Sequence, residues 1–136
     1  MTSSKRDSYR YSVCIKGIIS FKEKILLLKN EREEWELPGG KLELNEDPKK
    51  CLEREILEEV NIEIKVTDII DSWVYTIIDN KHVLIVTYAC SKIKSDNFQI
   101  SNEHKEGKWF TLEEIKSINM PTGYKRSIKT WSEVYN

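Results

Sequence analysis

Glu46, Glu55, Glu58 and Glu59 lie close together in the chain, with Arg54 among them and Gly39-Gly40 just upstream. The last three acids share a predicted helix. Asp47 offers an N-cap and Pro48 suits the first helical position; the helix then runs to about Val60, where Asn61 can supply a left-handed stop. At about 100° per residue, Leu52, Ile56, Val60 and Leu57 fall on one arc, expected to face the core. Glu55, Glu58 and Glu59 fall on the adjoining arc, and Glu59 is nearly in line with Leu52, so its carboxylate starts at the rim of the apolar face. Arg54 can reach Glu58 at i+4, but the i+4 neighbour of Glu55 is Glu59, another acid, which is locally unfavourable. A charge run of this kind usually marks a solvated face. A divalent cation would reverse the balance, because hard oxygen ligands suit magnesium or manganese. Gly39 and Gly40 add a turn able to expose backbone carbonyls and amides.

The stretch from Gly40 to Ile62, GKLELNEDPKKCLEREILEEVNI, resembles the Nudix box, G-x5-E-x7-R-E-U-x-E-E-x-G-U, in which U is a bulky aliphatic residue. Gly40, Glu46, Arg54, Glu55, Ile56, Glu58, Glu59 and Ile62 occupy its fixed positions. Asn61 replaces the usual glycine and is the best non-glycine residue for a left-handed helix end. At average residue usage, a chance match at this many positions is on the order of one in 10^5 chains or rarer. Trp35-Glu36-Leu37-Pro38-Gly39-Gly40 is similar to the family's lead-in, and Glu103, His104, Glu106, Trp109 and Phe110 are similar to a later segment in which an acid precedes a Trp-Phe pair.

The resemblance implies an α/β/α sandwich with a mixed sheet, the box forming a loop–helix–loop. It also implies a hydrolase that holds divalent ions, Mg2+ or Mn2+, against a diphosphate while water displaces one phosphoryl group in line. By matched position the metal ligands are Glu58 and Glu59, then Glu55, with the Gly39 carbonyl as a further oxygen. The general base is sought among Glu55, Glu106 and Glu103, and Arg54 orients the acids by ion pairing. Gly40, Lys41, Glu46, Trp35 and Tyr124 are the substrate-side candidates. Trp35 and Trp73 could stack on a base, although a core role suits each as well. Glu43 and His104 read as loop residues.

These residues need elements to carry them. A strand is predicted over residues 9–21 and a buried one over Lys24–Lys29. Pro followed by two glycines makes 35–40 a turn that continues neither regular structure. Strands are predicted over 62–70, 73–78 and 82–90, the last two joined by a turn at 79–81. A short strand covers 108–110, Thr111-Leu112-Glu113-Glu114 is a capping box, and a final helix covers 123–134 with Tyr124, Ile128 and Trp131 on one side.

One domain over residues 1–136 is expected, with 1–8 as a flexible tail. The formal net charge of -1 gives no whole-molecule case for binding nucleic acid or an acidic membrane. Cys14, Cys51 and Cys90 are odd in number and widely spaced, so reduced thiols in a cytoplasmic protein are expected rather than a zinc site. The polar N-terminus is not expected to act as a secretory signal, and no apolar run has the length of a membrane span.

The box specifies the diphosphate and not its substituents. The proline of ADP-ribose enzymes is missing from 75–78, and the tyrosine of dinucleoside-polyphosphate enzymes is missing from 78–80. What remains is similar to the small MutT-like group, which converts nucleoside triphosphates to NMP and pyrophosphate. Met120-Pro121-Thr122-Gly123-Tyr124 lies where that group often reads the base, but without the Asn that recognises an oxidised guanine. Two alternatives stand beside it: a hydrolase of another diphosphate, such as a nucleotide sugar or ADP-ribose, and a non-catalytic nucleotide-sensing module. The intact acids weigh against the second. Many small Nudix proteins pair, and the aromatic C-terminal segment could serve a homodimer.

Overall fold

The computed structural model describes residues 10–77, 81–92 and 106–135. Along the chain these form β1 (Ser12–Ile18), β2 (Ser20–Phe21), β3 (Lys24–Lys29), β4 (Trp35–Glu36), β5 (Gly39–Lys41), α1 (Pro48–Val60), β6 (Ile64–Ile77), β7 (Lys81–Lys92), β8 (Glu106–Thr111), α2 (Leu112–Ile115) and α3 (Thr122–Tyr135). One sheet has the order β5-β1-β7-β6, with β1 parallel to β7 and the other pairs antiparallel. In the other, β3 pairs with β2, β4 and β8, all antiparallel.

The apolar run of β3 divides between two cores. Ile25 and Leu27 join Ile18, Ile85, Phe110, Tyr124, Ile128 and Trp131 on the α3 side. Leu26 and Leu28 join Ile15, Leu52, Ile56, Val60 and Tyr88 on the α1 side. Sheet with helices on both faces is the expected α/β/α sandwich, and burial on both faces explains why β3 reads as continuous rather than alternating hydrophobicity.

Helix α1 keeps the expected limits. The Lys50 amide donates to Asp47 Oδ2 at 3.1 Å, and Asn61 sits at φ 60°, ψ 37°. Leu57 departs from expectation: it is exposed, and Cys51 and Glu59 are buried instead. The core arc is rotated toward the acids, so Glu59 takes the inward place assigned to Leu57.

The strands differ more. Residues 35–40 are two short strands rather than a bare turn, because Pro38 falls between β4 and β5 and not inside either. The strand predicted over 9–21 divides into β1 and β2, which belong to different sheets. The separate strands over 62–70 and 73–78 are one long strand, β6, with register shifts between Val66 and Ile69 and between Ile69 and Asp71. Such bulges absorb extra residues without ending the pairing. The 1–8 tail and most of the 79–81 turn lie outside the described residues, as do Glu103 and His104. Among the described residues, no helix is long and apolar enough to cross a membrane.

Candidate active site

The site is built where α1 crosses the Gly39–Lys41 strand. Strand β5 pairs with β1 in the register Cys14–Lys41, Ile15–Gly40 and Lys16–Gly39. Gly39 has φ +147°, and a Cβ built there would stand 2.0 Å from the Ile15 carbonyl oxygen. Only glycine allows so close an approach at that backbone angle. At Gly40 a Cβ would stand 2.3 Å from Glu55 Cδ, so the missing side chain is the space in which the Glu55 carboxylate lies.

The box acids take different environments. Glu59 is buried, and its Oε1 accepts the Gly39 amide proton at 3.0 Å. Arg54 binds the others. Its Nε and Nη2 donate to the two oxygens of Glu46 at 2.9 and 3.2 Å, and Nη1 donates to Glu55 Oε2 and Glu58 Oε1, each at 3.1 Å. The bidentate fork fixes Glu46 in orientation as well as position. The hydrogen bond from Arg54 holds the Glu46 carboxyl below the usual carboxylate range, and the same bond holds the Arg54 guanidinium above its ordinary value. Glu46 Oε1 also accepts the Glu43 amide proton at 3.2 Å. Burial pushes the Cys51 thiol up to about 12. Protonated, it donates to the Lys41 carbonyl at 3.6 Å.

Glu46, Arg54, Glu55, Glu58 and Glu59 are thus joined through two sets of contacts around β5, and the i,i+4 pair expected between Arg54 and Glu58 is present. Lys41 is exposed at the end of β5. Glu106 opens β8 in the other sheet, ion-paired with Lys29 at 3.7 Å. Trp35 is not poised to stack on a base: it is 8% exposed, with Phe110 edge-on at 4.7 Å and the Lys29 ammonium over its ring. Tyr124 is likewise a core residue at 2% exposure, edge-on to Trp73 at 4.9 Å. The first turn of α3 carries it inward and leaves Thr122 and Arg126 exposed. These two, with Pro121 and the buried Gly123, line a cleft of about 450 Å³ with Glu34, Trp73 and Tyr75. The Tyr75 hydroxyl donates to Glu34 at 2.9 Å, and Trp73 lies flush against Gly123.

One further residue, Lys16, escaped notice in the sequence. Lys16 is 6% exposed, and its ammonium lies 3.8 Å from Glu36 Oε2. A lysine inside the apolar run Val13-Cys14-Ile15-Lys16-Gly17-Ile18-Ile19 was the available signal, because buried lysines require a partner.

Among the described residues, no three His, Cys, Asp or Glu side chains converge closely enough to hold a metal ion as placed. The cause is visible in the contacts: the Arg54 guanidinium lies among Glu46, Glu55 and Glu58. The donor set itself fits a hard divalent cation, being made of carboxylate oxygens. Glu58, with its side chain 60% exposed, has the freedom to turn toward one.

The NUDIX domain model matches residues 8–131 of the chain. An 8-oxo-dGTP diphosphatase from Buchnera aphidicola subsp. Schizaphis graminum is 30% identical over 126 residues, covering 83% of this chain and 87% of the relative. The crystal structure of a MutT protein from Methanosarcina mazei Go1 has a TM-score of 0.81 at 24% identity, covering 95% of this chain and 99% of the other. A UDP-X diphosphatase structure has a TM-score of 0.77 at 21% identity, covering 99% and 71%. The two structural likenesses bear on the fold.

Proposed function

We propose that this chain, which belongs to the NUDIX family and is one of its hydrolases, cleaves a phosphoanhydride bond of a nucleoside triphosphate, releasing NMP and pyrophosphate. The observation that carries this reading is the sorting of the box acids. Glu59 is buried on the Gly39 amide, while Arg54 gathers the partly buried Glu46 and Glu55 and the exposed Glu58. A helix that needed only solubility would not bury one acid of a cluster and tie three others to a single guanidinium.

In this reading Glu55, Glu58 and Glu59, with the Gly39 carbonyl, would hold Mg2+ or Mn2+, which when bound would supply charge compensation for the diphosphate and acidify the attacking water. Water attacks phosphorus, the P–O bond to the leaving pyrophosphate breaks, and the water proton passes to a carboxylate. Glu55 is the first candidate, since it lies against Gly40; Glu106 and Glu103 follow. Arg54 keeps the acids oriented. The cleft between β6 and the start of α3 seats the nucleoside, with Trp73 and Tyr75 as its aromatic wall and Glu34 and Arg126 as its polar groups. The 8-oxo-dGTP diphosphatase relative supports the triphosphate class.

The test is a panel of (d)NTPs, nucleotide sugars and ADP-ribose with Mg2+ and Mn2+, reading pyrophosphate and phosphate release. Pyrophosphate from a (d)NTP is the expected product. Glu59→Gln keeps the oxygen that accepts the Gly39 proton, so the variant should fold and lose metal-dependent turnover. Wild-type turnover by Glu59→Gln would sink the mechanism. A wild-type protein inactive across the panel would instead identify a binding module.

A further inference from the structure

A buried lysine is a costly choice, so its position asks for a reason. Lys16 is the one basic residue buried along its whole length among the described residues, and it lies in the β1 register opposite Gly39. Segment 36–39 is pinned from three directions at this point. The Gly17 amide donates to the Pro38 carbonyl at 3.0 Å. On the α1 side, Glu59 accepts the Gly39 amide proton. On the α3 side, Glu36 lies 3.8 Å from the Lys16 ammonium and accepts a hydrogen bond from Asn30 at 3.1 Å. Two carboxylates therefore bear on one short segment from opposite faces of the sheet, and Lys16 is the buried positive charge between them. Burial works to lower the proton affinity of Lys16, but Glu36, together with Tyr124, Glu59 and Cys14, outweighs it and holds the ammonium firmly protonated. Replacing a buried ion pair by apolar residues is often neutral or stabilising, so stability alone does not account for this one.

We propose that Lys16 is a positioning residue for the hydrolytic site: its ammonium, held by Glu36, fixes the β4–β5 segment so that the Gly39 amide stays on Glu59. The inference rests on the function proposed above in placing a cation at Glu59, while its geometric half concerns the Gly39 amide alone. Lys16 acts through Gly39 and not by touching substrate.

Position and charge can be told apart by sign. If Lys16 acted only as a nearby positive charge, its removal would tighten cation binding. If it positions the segment, its removal loosens cation binding. The variants are Lys16→Met, Lys16→Arg and the double variant K16M/E36Q, which leaves no buried charge without a partner in this pair and keeps an Asn30 acceptor. Two readouts serve: Mn2+ affinity by electron paramagnetic resonance, and the Gly39 amide resonance in 15N-labelled protein. A carboxylate-bound amide proton lies downfield. In K16M and K16M/E36Q we expect that downfield shift to collapse and Mn2+ binding to weaken about tenfold, the loss of roughly one charge-assisted hydrogen bond's worth of order. K16R should keep both near wild type. Should K16M alone fail to fold, the double variant decides. Unchanged or tighter Mn2+ binding with an unmoved Gly39 resonance would overturn the proposal. If wild-type protein binds no Mn2+, the metal site fails as proposed, and the Gly39 resonance still decides the role of Lys16.

Discussion

Adjacent glycines should fail in opposite ways when each is changed to alanine. At Gly39 the added Cβ meets backbone: the Ile15 carbonyl oxygen at 2.0 Å and Lys16 Cα at 2.9 Å, with φ at +147°. Nothing there can move without parting β5 from β1. The backbone conformation alone costs alanine about 1–3 kcal/mol, and the clash adds to it, so a total of about 3 kcal/mol or more is expected. For a chain of this length, about 3–5 °C of Tm per kcal/mol gives a fall of roughly 10 °C or more. At Gly40 the added Cβ meets the Glu55 side chain, with Cδ and Oε1 both at 2.3 Å. That carboxylate sits on a flexible stem and can swing away, leaving its bond to Arg54. Alanine also restricts the unfolded chain, which contributes about 0.4–1 kcal/mol in its favour. Gly40→Ala should therefore melt within a few degrees of wild type. Its kcat/KM should fall by about 10^2–10^4, the usual contribution of a positioned base. Thermal melts and steady-state kinetics on the best substrate separate the two. A Gly40→Ala variant with wild-type kcat/KM would refute a role for Glu55 where it lies. One that melts as low as Gly39→Ala would show that backbone, and not Glu55, governs that position.

Two more outcomes follow from local contacts. The Arg54 fork lowers the Glu46 pKa, so the stabilisation it brings is full above the unfolded value, about 4.3, and is lost as pH falls through the folded value. Wild type should out-melt Glu46→Gln at pH 7, and the gap should close toward pH 3; a gap that stays constant to pH 3 would show that the fork does not act through ionisation. At Asn61 the left-handed backbone costs alanine about 1 kcal/mol, so Asn61→Ala should lose roughly 3–5 °C of Tm, while Asn61→Gly should match or exceed wild type. An Asn61→Ala protein that melts like wild type would place the helix stop elsewhere.

Legibility in the sequence followed the range of the interactions. Helix α1 was readable end to end because its signals are local: Asp47 caps it, Pro48 starts it, and Asn61 turns out of it at φ 60°. The box acids were readable because their spacing is a property of one helix. The sheets were read less well. Nothing local in 62–78 says that one bulged strand, and not two, pairs along β7. Strand β1 gives way to β2 at Ile19 because the two join different sheets, a fact set by partners far along the chain. The aromatic residues were less legible for a related reason. Trp35 and Tyr124 have the chemistry to meet a base, but which aromatic faces a cleft depends on how α3 docks. The structure turns Tyr124 into the core and leaves Trp73 at the cleft. Leu57 shows the limit of the wheel: hydrophobicity placed it inward, and the helix rotated to bury Glu59 instead.

That rotation links fold and chemistry. A buried carboxylate needs hydrogen bonds, and Glu59 finds one in the backbone amide that Gly39 brings to it. Gly39 can do so because it lacks a Cβ and packs directly on β1, where Lys16 is its partner. Changing any one of the three leaves another without its reason: Glu59 without the Gly39 amide, Gly39 without a need for φ +147°, or Lys16 as a buried charge with nothing to hold. On the outer side of α1 the dependence runs through Arg54, whose pairing with Glu55 offsets the Glu55–Glu59 repulsion that made the helix look unfavourable as bare sequence. The two sides should therefore respond differently to perturbation. On the Arg54 side only Glu58 is well exposed, so variants at Glu58 should alter turnover with little loss of stability, while Glu46 and Glu55, partly covered, also carry some of the fold. The Glu59 side is buried, so only substitutions that preserve its hydrogen bond should separate catalysis from folding.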